Sequence, residues 1–233
     1  MGLNTTPVVC LIPARGRSKG VYRKNMRTIA GKSLIDFTIL AAQHSNYADN
    51  VYISSDDATI LEHARTLGAI GIARPDEFAS DTASAIAVVE HFLSMLPDTL
   101  LQEDPYIVYL QPTSPLRTSH HIDDALEQML AAKGQSLVSV SEVQKSPFKM
   151  FTLDEKGRLQ SLFDEKLSNA RRQDLPEVFA PNGAIYVFRA SEFKSRGGFP
   201  SNGSIPFVMN TEDSLDIDTE DDICRAEIIL GGK

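Results

Sequence analysis

Short apolar runs and amphipathic stretches alternate along most of this chain. Val8–Pro13 is a continuous apolar run stopped by proline and glycine-containing sequence, which predicts a buried parallel strand that feeds a loop. From Ser33 the apolar positions Leu34, Ile35, Phe37, Leu40 and Ala41 suit a helix capped by Ser33, and Val51–Ser54 then reads as a second strand. The alternation continues with a helix near Asp57–Leu67, a strand at Ile70–Ala73, a helix at Ala83–Leu96 and a strand at Tyr106–Gln111. A helix at Ser119–Ala132 and a strand at Ser136–Val140 follow.

Between residues 143 and 181 this rhythm breaks into short mixed segments, with Lys156-Gly157 as a turn and a charged stretch from Asp164 to Asp174. It reads as an insertion within one domain spanning 1–233, not as a linker. Strands are expected again at Gly183–Phe188 and Ile205–Met209, and an amphipathic helix at Glu220–Leu230. The predicted class is α/β: a mostly parallel, twisted sheet with helices on both faces.

Composition narrows the partners. With 233 residues, 42% of them hydrophobic, the chain can bury a full core, while a formal net charge of −8 with no Lys/Arg-dense block argues against a nucleic-acid backbone. Small molecules are the expected ligands. Cys10 lies in an apolar run and Cys224 is distant in sequence, so buried thiol is the reading for Cys10 and a reducing compartment is expected. The polar start from Met1 to Pro7 and the lack of a long apolar segment predict a soluble, cytoplasmic protein without a membrane partner.

The loop after the first strand, Ile12-Pro-Ala-Arg-Gly-Arg-Ser-Lys-Gly20 continuing to Arg23-Lys24-Asn25, sets basic side chains beside Gly16, Ser18 and Gly20. Backbone amides and cations there suit a polyphosphate, and open α/β sheets place ligands at such strand ends. The plainer reading is a solvated basic loop. Gly31-Lys32-Ser33 ends like a phosphate-binding motif, but Met26 stands where that motif needs glycine, so a turn and helix cap is preferred.

Asp216 and Asp218 lie two apart, so on an extended segment both carboxylates share one face, as suits Mg²⁺ held jointly with phosphates. The competing role is negative charge ahead of the last helix, and Asp221 and Asp222 read as that alone. Asp56 and Asp57, after the second strand, are read as helix-start residues rather than metal ligands. The histidines show no ligand spacing, and no nucleophile motif supports covalent catalysis.

Several blocks together resemble the acylneuraminate cytidylyltransferase family: Ile12-Pro-Ala-Arg-Gly, Arg74-Pro with Ala79-Ser-Asp-Thr82, Gln111-Pro-Thr-Ser-Pro-Leu-Arg117, Arg172-Gln173, Asn182-Gly-Ala-Ile-Tyr186 and Asp216-Ile-Asp218. They run in order over almost the whole chain. The resemblance implies a Rossmann-like nucleotidyltransferase fold in which Arg15, Ser18, Lys19, Lys24 and Asn25 contact the triphosphate of CTP. Arg74 and the region around Ala83 would frame cytosine and ribose, and Gln111, Lys149, Arg172 and Tyr186 would bind an acidic nine-carbon sugar. Asp216 and Asp218 would hold Mg²⁺, with Lys19 and Lys24 neutralising the departing pyrophosphate.

The family also dimerises through the insertion, where Phe148, Phe151, Leu153, Leu159, Leu162 and Phe163 supply apolar side chains, so a homodimer is expected. Arg17 and Tyr22 stand where the common pattern has glycine and proline; a left-handed backbone at position 17 would cost arginine about 1 kcal/mol. Two other readings stay open: a different sugar nucleotidyltransferase, of the KDO type, and a non-catalytic regulator that binds sugar nucleotides.

Overall fold

Alternation in the first strand, β1 (Val8–Pro13), sets the layering. Val8, Cys10 and Ile12 enter one core cluster, Val9 and Leu11 another, and these residues are buried, so both faces of the strand are covered. The computed structural model of the chain describes residues 6–18, 20–79 and 84–232.

The elements follow in chain order. The hairpin β2 (Thr28–Ile29) and β3 (Lys32–Ser33) leads into α1 (Leu34–Gln43), and β4 (Asn50–Ser55), α2 (Ala58–Thr66) and β5 (Ile70–Ala73) come next. Helices α3 (Ala85–Met95) and α4 (Asp98–Gln102) precede β6 (Tyr106–Tyr109), α5 (Ser119–Ala131) and β7 (Ser136–Glu142). The insertion holds β8 (Phe151–Leu153), β9 (Leu159–Ser161) and α6 (Glu165–Asn169). The chain closes with β10 (Phe179–Arg189), α7 (Ala190–Arg196), β11 (Ile205–Val208) and α8 (Glu220–Gly231).

Seven of these strands form one sheet in the order β11-β7-β10-β6-β1-β4-β5. β1 pairs in parallel with β4 and β6, β4 with β5, and β7 with β11; β10 alone runs antiparallel, between β6 and β7. The mostly parallel α/β sheet expected from the sequence is therefore present. Helices α1, α2 and α5 pack on one face and α3 and α7 on the other. A third cluster joins α8, through Ile223 and Ala226, to Val21, Leu215 and Ile217, and so ties the last helix to two loops at one end of the sheet.

Caps fix several boundaries. Ser33 and Asp36 form a reciprocal capping box on α1, Thr219 and Asp222 another on α8, and Asp57 accepts from the amides of Thr59 (2.7 Å) and Ile60 (3.4 Å) at the start of α2. Gly31-Lys32-Ser33 is a turn followed by that cap: Ala30 and Gly31 take φ of 47° and 82° in the β2–β3 hairpin.

The structure corrects several boundaries. The strand at 106 ends at Tyr109, and the returning strand begins at Phe179, so it draws the end of the insertion into the main sheet through pairing with Glu142 and Ser141. Helices α4 and α7 escape a pattern-based reading because they are only five and seven residues long, less than two full apolar repeats. Arg17 is not among the residues with positive φ, so the strain feared at that position does not arise; Arg23, at φ 48°, carries the left-handed turn instead. Burial pushes the Cys10 thiol up to about 12, as expected of an inert core cysteine. Among the described residues no helix is long and apolar enough to cross a membrane.

Candidate active site

At the C-terminal ends of β1 and β6 lies a cleft of about 520 Å³, lined among others by Arg15, Ser18, Lys24, Arg74, Gln111 and the Asp216/Asp218 pair. Residues from sequence-distant segments converge there because parallel strands deliver their following loops to the same edge.

The loop after β1 is held by its own polar residues. Ala14 N–H donates to Ser54 O (2.9 Å), which continues the β1–β4 ladder past Pro13, and the buried Asn25 donates from Nδ2 to Arg15 O (2.9 Å). The left-handed turn at Arg23 then starts a short 3₁₀ turn, Lys24–Met26, that aims Lys24 into the cleft. Gly20 has to be glycine: a Cβ there would sit 2.2 Å from Asp218 O, so the loop and the aspartate segment touch backbone to backbone.

The aspartates are presented by alternation. Leu215 and Ile217 are buried in the cluster with α8, whereas Asp216 and Asp218 line the cleft, and Ile217 N–H donates to Thr113 O at 2.9 Å. Lys24 Nζ donates to Ile217 O (2.6 Å) and Asp218 Oδ1 (3.0 Å). Burial raises the Asp216 carboxyl above its usual range; the Thr113 side chain opposes this through a hydrogen bond, and the charge of Asp218 adds to it.

Two carboxylates on one face of the segment, one of them already touched by an ammonium, are the donor chemistry a hard divalent cation completes. Among the described residues no group of three or more His, Cys, Asp or Glu side chains could hold a metal. Mg²⁺ on Asp216 and Asp218 would thus need oxygen ligands from substrate.

Arg74, at the end of β5, is buried. Desolvation lowers its pKa, Asp56 counters this, and its Nε has no hydrogen-bond partner among the described residues although it lines the cleft. A buried guanidinium N–H without an acceptor calls for one from a ligand. Gln111 is positioned from two sides. Arg117, wholly buried, donates to Gln111 O and Ala184 O (both 2.9 Å) and to Thr38 Oγ1. Gly183, at φ 77°, leaves room for the Gln111 amide, since a Cβ would lie 2.3 Å from its Oε1. This is where the β10 register shifts, and Ser139 and Asn182 satisfy the break: Ser139 Oγ donates to Asn182 Oδ1 (2.6 Å) and accepts from Ile185 N–H (2.7 Å).

The expected site residues therefore divide. Arg15, Ser18, Lys24, Asn25, Arg74, Gln111, Asp216 and Asp218 line one cleft. Tyr186 stands just behind it, packed edge-on against Tyr109 and Phe199, with a hydroxyl whose pKa is raised by burial and by the charge of Asp216. Lys19 and Ala83 lie outside the described residues. Lys149 and Arg172 are not among the cleft-lining residues: Lys149 donates to Ala170 O (2.5 Å) just beyond α6, and Arg172 is exposed on the insertion. Asp56 is the residue the sequence reading undervalued. It does not cap α2; it accepts from Gly16 N–H at 3.0 Å.

Residues 9–202 match the family model described as "Cytidylyltransferase". The chain belongs to this cytidylyltransferase family. It is 37% identical over 216 residues to an N-acylneuraminate cytidylyltransferase of Streptococcus agalactiae serotype III (strain NEM316), covering 92% of this chain and 51% of that protein. Hence the chain spans about half the length of such curated relatives. With a pseudaminic acid cytidylyltransferase of Campylobacter jejuni (serotype O:2) it shares 32% identity over 222 residues, 95% of each chain. Among solved structures, a CMP:2-keto-3-deoxy-manno-octonic acid synthetase complexed with CTP superposes with a TM-score of 0.70 at 15% identity, covering 97% of this chain and 99% of that one, which shows the fold. The resemblance drawn from the sequence motifs is borne out.

Proposed function

We propose that this cytidylyltransferase-family chain transfers the cytidylyl group of CTP to an acidic nine-carbon (nonulosonic) sugar, giving a CMP-sugar and pyrophosphate. The observation that carries this reading is the convergence in one cleft of the Arg15–Ser18–Lys24 loop and the Asp216/Asp218 pair, joined by the Lys24–Asp218 contact. Cations and backbone amides of the loop suit a polyphosphate, and the paired carboxylates beside them suit the cation that accompanies it.

In the proposed reaction a sugar hydroxyl oxygen attacks the α-phosphorus of CTP in line with the leaving oxygen. The new O–P bond forms as the bond from the α-phosphorus to the bridging oxygen breaks, pyrophosphate departs, and the hydroxyl proton passes to solvent. Lys24 stabilises charge building on the departing pyrophosphate, Arg74 supplies its unpaired N–H to the nucleotide, and Gln111, held by Arg117, orients the sugar. Mg²⁺ bound at Asp216 and Asp218 would supply Lewis-acid polarisation of the α-phosphate.

The insertion supports a homodimer. Phe151, Leu153 and Leu159 on the β8–β9 hairpin and Leu162 and Phe163 just after it expose 46–70% of their surface, apolar side chains that a second copy would cover. Since Lys149 and Arg172 ride on this same segment and do not line their own chain's cleft, their proposed contact with the sugar carboxylate is made in the cleft of the second copy. The proposed setting is cytoplasmic, where CTP is supplied.

Calorimetric titration with CTP, UTP, ATP and GTP in the presence of Mg²⁺ tests the nucleotide half of the proposal. CTP should bind at least about tenfold more tightly than the others, about 1.4 kcal/mol. Equal binding of all four would remove the cytidylyl assignment.

A further inference from the structure

The acidic pair that follows β4 is not used twice for the same purpose. Asp57 caps α2, as described above, and also accepts from Arg23 Nη2 at 3.4 Å. Asp56 points the other way. Its Oδ1 accepts from Gly16 N–H at 3.0 Å and lies 3.8 Å from Nη2 of Arg74. One carboxylate oxygen therefore faces the loop after β1 and the arginine at the end of β5, two elements on either side of the strand that carries it.

Charge makes the placement informative. A carboxylate beside a polyanion site opposes binding by simple Coulomb repulsion, so its contribution has to be structural within the site. The Arg74 side chain is only 4% exposed, and a guanidinium that buried needs a neighbouring negative charge to hold its direction. Gly16 is pressed against the same pair: a Cβ there would come within 2.8 Å of Asp57 Cβ, so the loop lies flat on the β4 end and its amide has little freedom to seek another acceptor.

We propose that Asp56 is a positioning residue for the nucleotide: it fixes the Gly16 amide and the Arg74 guanidinium relative to each other, so that the loop and the arginine meet one CTP molecule at a set spacing. This rests on the nucleotide reading given above. Asp56 does not line the nucleotide cleft; of its partners, Arg74 does, and Gly16 belongs to the loop that brings Arg15 and Ser18 into it.

Two variants separate the parts of this role. Asp56→Ala removes both the acceptor and the charge; Asp56→Asn keeps an acceptor oxygen for Gly16 N–H. Asp56→Ala should weaken CTP binding by about tenfold or more in calorimetry, leave the KM for the sugar acid within about twofold, and speed amide hydrogen exchange in the peptide that contains Gly16. Asp56→Asn should restore slow exchange at that peptide and recover only part of the CTP affinity, because Arg74 still lacks its charged partner. Parallel losses of melting temperature, CTP affinity and sugar KM in both variants would overturn the proposal, because a merely structural residue behaves that way. Should the wild-type protein bind no CTP, the nucleotide reading fails by itself. An unchanged exchange rate at Gly16 in Asp56→Ala overturns the positioning role in either case.

Discussion

Lys24 Nζ lies 3.0 Å from Asp218 Oδ1, although 194 residues of sequence separate the two side chains. Both residues line the cleft, and their contact joins the first loop of the fold to the segment before its last helix. Asp218 is 73% exposed, so solvent screens the pair and its worth to folding is small, on the order of 0–1 kcal/mol. Lys24→Ala should therefore unfold within a few degrees of the wild type yet lose about 10²–10³-fold in turnover, the scale for removing a group that stabilises transition-state charge. Thermal melts beside steady-state kinetics check this, and a fall in both together would assign Lys24 to the fold.

Gly183→Ala tests how Gln111 is held. The left-handed backbone at φ 77° costs an L-residue about 1–2 kcal/mol, and the added methyl would press on Gln111 Oε1. The expected result is a modest stability loss in denaturant melts with a raised KM for the sugar acid and CTP affinity near wild type. An unchanged sugar KM would remove Gln111 from the sugar site.

Asp104 gives a pH-dependent control far from the chemistry. Burial alone would raise its carboxyl, but Ser191 N–H and Oγ (both 2.8 Å) and Arg189 Nε (2.9 Å) outweigh that and hold it below the usual carboxylate range. A depressed folded-state pKa contributes stability that is present above the unfolded value of about 3.9 and is lost as pH falls through the folded one. Asp104→Asn should cost about 1 kcal/mol at pH 7, with the difference from wild type shrinking below about pH 4 and turnover unchanged. Urea melts across pH 3–7 give the comparison.

Much of this architecture is written in local sequence. The strands at Val8–Pro13 and Ile70–Ala73 and the caps at Ser33 and Asp57 follow from apolar runs and side-chain oxygens that act within a few residues. The facing of Asp216 and Asp218 was legible for the same reason: alternation sends Leu215 and Ile217 inward whatever the rest of the chain does. What stayed hidden depends on contacts between distant segments. Asp56 looks like a helix-start residue until β1 and β5 flank its strand, and the need for glycine at position 20 appears only when Asp218 is placed against it. The antiparallel turn of β10 was equally invisible, because a strand buried on both faces reads alike in either direction.

The dimer proposal predicts a specific disruption. Leu153 and Leu159 face each other across the β8–β9 hairpin and are 68% and 70% exposed. The wild type should show twice the chain's mass in light scattering at micromolar concentration, and Leu153→Glu with Leu159→Glu should return it to one chain's mass. That monomer should keep its CTP affinity and lose sugar turnover, since Lys149 and Arg172 would no longer reach a second cleft. A monomeric wild type would end this proposal.

The most direct test of the central claim is incubation of the purified protein with CTP, Mg²⁺ and a panel of nonulosonic acids and KDO, reading pyrophosphate release and product mass together. The account predicts stoichiometric pyrophosphate and CMP-sugar with at least one nonulosonic acid, a much slower reaction with KDO, and loss of both signals in Asp218→Asn. Binding of CTP without any CMP-sugar across the panel, or turnover that survives Asp218→Asn, would contradict it.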